Sequence, residues 1–291
     1  MIHPFEILTI GGDDVMLIVP ANKALQIAET LGKQFEAILL KETELPDIKI
    51  NGNYVHQQSQ SEEQLKHTHR YQPIQAKQGK SQLNMSTGVL ITAMNTPVYY
   101  AENLTNQLLK SAKKKAKYLK KEHAYHGGTV DFLTLKSVTM ISSKIKEFRE
   151  EALEKESLGK AKLKLYAAPY TLHELGGLID TIKALKQSSF PKSQLYQIRS
   201  FLEQGKNLSI INYRYFRVRL AKDQQELLEK VFEQGWCKAK TNNGNLAPWM
   251  YDQEDKLYET IWREIVELYP FIEKPETMEM SGVANSKEVN S

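Results

Sequence analysis

The stretch that most constrains this chain is Ile7-Leu8-Thr9-Ile10-Gly11-Gly12-Asp13-Asp14-Val15-Met16-Leu17-Ile18-Val19. Two runs rich in Ile, Leu and Val flank four residues, Gly-Gly-Asp-Asp. Runs of that composition read as strands buried by neighbours. Glycine accepts φ > 0 without a Cβ clash, so Gly-Gly and Gly-Asp favour a tight turn. The sequence therefore predicts a β-hairpin with two carboxylates at its tip. Adjacent carboxylates are hard oxygen ligands suited to Mg²⁺ or Mn²⁺, and glycines beside them let a nucleotide approach the backbone. A solvated turn is the plainer use of the same residues.

The chain has 291 residues, enough for one large domain or two ordinary ones. It carries a single cysteine, Cys237, which permits neither an internal disulfide nor a cysteine-built zinc site. No apolar run is long enough to span a membrane, and the opening residues lack the pattern of a secretory leader, so a cytoplasmic protein is expected. Net charge is only +4, but seven of the twelve residues from Lys110 to Lys121 are lysine. Such a patch draws polyanions, although a solvated helix face is the commoner role of a lysine run.

After the hairpin, Pro20 opens a helix in which Ala24, Ala28, Leu31, Phe35 and Ile38 form a stripe. That helix is expected to pack on the sheet holding the hairpin. Residues 42–83 are polar and read as a disordered insertion. His56, His67 and His69 lie there without cysteine or carboxylate at ligand spacing, so surface histidines are favoured over a metal site. Strands follow at 85–93 and 129–135, separated by a helix from Pro97 with Ala101, Leu104, Leu108 and Ala112 on one face. Lys113 and Lys117 stand one turn apart on it. Strands and helices in this order suggest an α+β, ferredoxin-like sheet over residues 1–140 that lacks its usual first strand and helix.

From 141 to 274 only helices are expected, packed as a bundle, with a disordered tail at 275–291. Thr171 and Glu174 form a capping box. A helix over 208–220 is expected to turn Leu208, Ile211, Tyr215 and Val218 inward. The run Tyr213–Arg219 mixes aromatic and basic residues that could contact RNA, with aromatics in the core as the favoured alternative. A last long helix is expected to carry Leu257, Ile261, Ile265 and Leu268. His173, Trp249 and Trp262 read as packing or surface residues.

Several stretches together resemble a known family: residues 8–20, Ser-Thr-Gly-Val-Leu-Ile-Thr-Ala at 86–93, Pro-Val-Tyr-Tyr-Ala-Glu-Asn-Leu from 97, Thr-Val-Asp-Phe-Leu-Thr-Leu-Lys-Ser at 129–137, Pro-Tyr-Thr-Leu-His-Glu-Leu at 169–175 and Phe-Pro-Lys-Ser-Gln-Leu-Tyr-Gln-Ile-Arg at 190–199. They are similar to the C-terminal half of the large polymerase/cyclase-like subunit of type III CRISPR effector complexes. The resemblance implies a palm domain that joins ATP into cyclic oligoadenylate when target RNA binds. It implies metal binding by Asp13 and Asp14, a nucleotide lying against Gly11 and Gly12, and triphosphate contacts from Lys113 and Lys117. Two divalent ions, Mg²⁺ or Mn²⁺, would serve such a reaction. The implied partners are the other effector subunits, the guide RNA (crRNA) and target RNA, and no membrane. The family's first-strand carboxylate, its second palm, its cysteine zinc site and its nuclease domain have no counterpart here. A second polypeptide carrying the missing part is therefore expected, and alone the chain is expected to make no product. A non-catalytic module docking small subunits or RNA through the helical region, or the remnant of a truncated gene, is the alternative. A stand-alone cyclic-dinucleotide cyclase fits less well, because such enzymes end near the last palm strand.

Overall fold

A computed structural model describes residues 5–38, 68–72, 84–135, 143–156, 162–237, 240–241, 244–252 and 257–274. The expectations for the rest of the 42–83 insertion, for His56 and His67, and for the 275–291 tail lie outside these residues.

The hairpin forms as expected. β1 (Glu6–Gly11) pairs antiparallel with β2 (Asp14–Ile18), and the register runs from Glu6↔Ile18 to Gly11↔Asp14 with an irregularity between Ile7 and Thr9. Its surroundings differ from the expectation of buried strands. Ile7, Leu8, Ile10, Val15 and Ile18 are all exposed. The hairpin is a two-stranded sheet of its own and shares no ladder with β3 or β4. The residue composition of a buried strand is present, but no described element covers it.

Directly after β2, α1 (Ala21–Ile38) buries Ala24, Leu25 and Ala28, while Leu31 and Phe35 stay exposed. It packs against β3 and α4 rather than on the hairpin. Gly32 lies so close to Leu172 that a Cβ there would sit 2.7 Å from its Cδ atoms. The Gly128 amide donates to Glu36 Oε1 at 2.6 Å and ties the same helix to the start of β4.

β3 (Ser86–Ile91) and β4 (Thr129–Thr134) are parallel, joined by the long crossover helix α2 (Val98–His123). Parallel neighbours need such a crossover. Leu104, Leu108, Ala112, Ala116 and Leu119 recur every three or four residues and bury one face of α2. At Gly88 the α2 backbone comes so near that a Cβ would lie 2.5 Å from the Thr105 carbonyl oxygen. β4 is flanked on its other edge by the short antiparallel β7 (Tyr170–Thr171), giving the order β3-β4-β7.

The region after 141 is not all helical. It holds α3 (Ile145–Ala152), β5 (Glu154–Glu156), β6 (Lys162–Lys164), α4 (Leu172–Gln187), α5 (Lys192–Leu202), α6 (Lys206–Val218), α7 (Lys222–Leu228) continued by a π-helical turn to Gln234, the small hairpin β8 (Lys240–Thr241) and β9 (Gly244–Asn245), β10 (Met250–Asp252), β11 (Leu257–Glu259) and α8 (Trp262–Leu268). β10, β11, β6 and β5 form one four-stranded sheet in that order, with β11 parallel to β6. Three-residue strands carry too few residues to show a period, so sequence pattern could not register them. The expected last helix is therefore split: Leu257 belongs to β11, Ile261 caps the start of α8, and of the four only Ile265 and Leu268 lie within the helix.

Helix α6 is rotated from its expected setting. Ser209, Tyr213 and Phe216 face inward, and Leu208, Ile211, Tyr215 and Val218 are 55–69% exposed. The buried polar partners select this face: Trp249 Nε1 donates to Ser209 Oγ at 2.7 Å, and Tyr213 OH donates to Glu233 Oε1 at 3.0 Å. One apolar core runs from Ala24 and Leu25 of α1 through Val130 and Phe132 of β4 to Leu175, Trp236, Trp249, Trp262 and Ile272. The described residues thus form an α+β fold in which the β3-β4-β7 sheet and the helical region share one interior. No described helix is long and apolar enough to cross a membrane.

Candidate functional site

The tip of the hairpin is a two-residue loop, Gly12-Asp13, closed by the Gly11↔Asp14 pair. Gly12 has φ +60°, a left-handed conformation that glycine adopts without strain. A positive φ at the first loop position alone matches the type II′ turn, whose twist suits the strands it joins. A Cβ on Gly11 or Gly12 would meet nothing within 4 Å, so the backbone face here is open. Asp13 and Asp14 are both exposed. Among the described residues neither has an ion pair or a side-chain hydrogen bond. The structure thus brings Gly11, Gly12, Asp13 and Asp14 together at one exposed point.

Lys113 and Lys117 stand elsewhere, exposed on α2, and no described ion pair or hydrogen bond joins them to the hairpin. α2 itself packs on β3 and β4. In the same lysine run, Lys115 behaves differently from its neighbours. Its ammonium lies 5.4 Å from the centre of the Tyr118 ring, and burial, helped by the positive charge of Arg70, lowers its pKa. The even distribution of lysines in the sequence gave no sign of this inward-leaning member.

The larger omission of the sequence reading is residues 68–72, which lie inside the expected disordered insertion. Thr68 and His69 are buried. His69 Nδ1 shares a hydrogen bond of 3.0 Å with Thr171 Oγ1, and its ring meets those of Tyr125 and His173. It is a core histidine. Tyr71 lies on Gly177 and its ring meets that of Trp236 at a tilt of 44°, 4.9 Å between centroids, and the Gln72 amide donates to the Gly235 carbonyl at 2.7 Å.

Arg70 gathers the surrounding elements. Its Nε and Nη2 donate to the two oxygens of Glu174 at 2.9 Å each, its amide donates to Glu174 Oε1 at 2.7 Å, and its Nη1 donates to Glu259 Oε2 at 2.9 Å. The carbonyls of Ala167 and Pro169 accept its remaining bonds. Burial opposes the charge on Glu174, but Arg70 outweighs it and holds the carboxyl well below the usual carboxylate range. The capping box is present as expected, with Thr171 Oγ1 accepting from the Glu174 amide and Glu174 Oε2 accepting from the Thr171 amide.

Two further buried carboxylates belong to the same interior. Asp131 of β4 receives both terminal nitrogens of Arg149 at 2.8 and 2.7 Å, a bidentate pair joining β4 to α3. Glu264 accepts from the amides of Ala167 and Ala168 and from Tyr170 OH. Burial nevertheless pushes its carboxyl up to about 7. Beside Arg149 and Glu264 lies a cavity of about 40 Å³ lined by Phe132, Phe148 and Tyr166, room for little more than a water molecule. These charges therefore hold the structure rather than a nucleotide. Among the described residues no three His, Cys, Asp or Glu side chains converge as a metal-binding group. No protein-family model and no curated protein matches the chain.

Proposed function

We propose that this chain contributes the Gly-Gly-Asp-Asp hairpin of a type III CRISPR effector large subunit, which converts ATP to cyclic oligoadenylate when target RNA binds. The observation that carries the reading is the tip itself. A tight glycine turn presents two adjacent, unpaired carboxylates to solvent beside backbone open to close approach. Mg²⁺ is commonly held by one or two carboxylates with phosphates and water completing its shell, so this donor set fits a metal brought in with a triphosphate. Asp13 and Asp14 would hold it, and the ion would supply charge stabilisation for the attacking and leaving oxygens. Gly11 and Gly12 leave room for the nucleotide, and Lys113 and Lys117 are cations for its phosphates once the assembly brings them near.

The palm sheet is completed by a partner in this reading. A lone two-stranded hairpin is marginal in water. β3 has helices α1 and α2 packed against it, yet among the described residues it is paired only along the edge facing β4. A strand from a second polypeptide, paired with the open edges of β2 and β3, would join the hairpin and β3 into one ferredoxin-like sheet.

A second reading, a non-catalytic module of the same complex, is favoured by the absence of a third metal-capable side chain near the hairpin among the described residues. The complex reconstituted with guide and target RNA separates the two. Mass spectrometry should find cyclic oligoadenylate with the parent chain and none with Asp13→Ala/Asp14→Ala. Unchanged output from the double variant would remove the catalytic reading and leave the module.

A further inference from the structure

Residues 68–72 have no role in the hairpin reading, and they enter the core as an island of sequence. Twenty-nine residues separate Thr68 from the end of α1 at Ile38, and eleven separate Gln72 from Asn84 ahead of β3. Residues 69–72 belong to no helix or strand, so no strand ladder seats them. All five N–H donors of the Arg70 guanidinium are used, on Glu174, Glu259 and the carbonyls of Ala167 and Pro169. The guanidinium also lies over the Tyr170 ring, 5.0 Å from its centre. Only arginine offers such a planar fork; a lysine ammonium has three donors and no plane.

The receiving cleft carries its own supports. Glu174 accepts from the Thr171 amide and closes the capping box of α4, and Glu259 lies 3.6 Å from Lys164 Nζ. Both carboxylates thus keep a partner without Arg70. Beside them a notch receives Tyr71. A Cβ on Gly177 would lie 2.2 Å from Tyr71 Cδ1, and one on Gly235 would lie 3.4 Å from its Cε2. Gly177 stands inside α4, where glycine is a poor helix former, and the ring in the notch is the reason a side chain is missing there. A buried arginine beside a seated aromatic ring is the kind of anchor pair that carries most of the affinity at recognition surfaces.

We infer that residues 68–72 are a peptide ligand carried within the chain, and that the cleft between α4, β7 and β11 is a recognition site for this Arg-Tyr segment, able to bind it as a separate peptide. In sequence α1 follows the hairpin and precedes the segment, so the ligand fastens the hairpin end of the chain to the C-terminal region. The site does not depend on the proposed chemistry. The test uses the full chain with residues 68–72 replaced by a Gly-Ser stretch of equal length, and a fluorescent peptide of residues 64–76. Anisotropy should show saturable binding to the replaced chain. Binding to the parent should be at least about a hundredfold weaker, because its own tethered segment holds the cleft. Arg70→Ala in the peptide should weaken binding about thirtyfold, and Tyr71→Ala about tenfold. Gly177→Ala in the chain, a change that suits a helix, should weaken the unaltered peptide about tenfold and leave the Tyr71→Ala peptide unaffected. Absence of saturable binding, indifference to Arg70→Ala, or a Gly177→Ala penalty that persists with the Tyr71→Ala peptide would overturn the inference. If circular dichroism shows the replaced chain unfolded, the parent with protease sites inserted after Gln60 and Gln78 decides. Cleaved while folded, it should retain the freed peptide on gel filtration and exchange it for the labelled one. Loss of the peptide without rebinding, or unfolding on cleavage, would make the segment a core element and overturn the inference as well.

Discussion

Arg70 and Glu174 are joined by two parallel N–H···O bonds of 2.9 Å, and the same carboxylate also closes the capping box at the start of α4. One buried anion thus fixes a helix start and holds a short segment that arrives from a polar stretch of sequence. Glu259 of β11 accepts from the same guanidinium, so the ion network links the four-stranded sheet to α4 and β7.

Removal of Arg70 leaves a carboxylate that is 1% exposed without its cation. Breaking a buried pair on one side costs about 3–5 kcal/mol. Arg70→Ala is therefore expected to lower the urea midpoint sharply. Thr171→Ala, which removes the cap acceptor and the hydroxyl that meets His69 Nδ1, should cost less, about 2 kcal/mol. Equal effects would show that the network contributes no more than the cap.

Glu264 and Glu174 shift stability with pH in opposite directions. Burial raises Glu264 from an ordinary 4.5 to about 7, so the folded state holds a proton that the unfolded chain releases. Its contribution is full below pH 4.5 and is lost as pH rises through about 7, a change of about 3 kcal/mol. Glu174 is depressed, so its contribution is present above its unfolded value and is lost as pH falls. On these two groups alone stability peaks where the unfolded carboxyls are half-protonated, at their shared ordinary value of 4.5. Denaturation midpoints measured across pH should show the peak, and Glu264→Gln should flatten the limb above it.

Two glycine substitutions should part company. Alanine at Gly88 places a Cβ 2.5 Å from the Thr105 carbonyl oxygen and 2.6 Å from the Leu109 amide nitrogen, both backbone atoms of α2. The helix must shift, at a cost of about 1–3 kcal/mol. Alanine at Gly11 meets nothing within 4 Å and has no positive φ to satisfy, so the thermal midpoint should stay within the usual scatter of a surface change.

Hydrogen exchange of the chain alone should find the β1–β2 amides among the least protected of the sheet residues. Their strands are exposed, while every residue of β4 is buried except the half-buried Thr134. Binding of a strand-donating partner should slow exchange at β2 and β3 together. Slow exchange of β1–β2 in the isolated chain would show that the hairpin is stabilised without one.

The sequence by itself determined what local chemistry determines. Glycine at positions 11 and 12 set the hairpin turn, Thr171 and Glu174 set a helix start, and Leu104, Leu108 and Ala112 set the buried face of α2. These depend on residues within one or two turns of each other, so pattern and stereochemistry suffice. The tip residues Gly11, Gly12, Asp13 and Asp14 were legible for the same reason.

Only the tertiary structure decided which surfaces meet. The apolar stripe of α6 lost the core to Ser209, Tyr213 and Phe216, because Trp249 and Glu233, distant in sequence, supply hydrogen bonds to that face. The strands β6 and β11 exist because each pairs with the other across about 95 residues, which no local period records. Residues 68–72 read as solvent-loving until Glu174, Glu259 and two carbonyls are placed around Arg70. Burial of a polar group is favourable only when its partners are present, and those partners are brought by the fold rather than by neighbouring sequence.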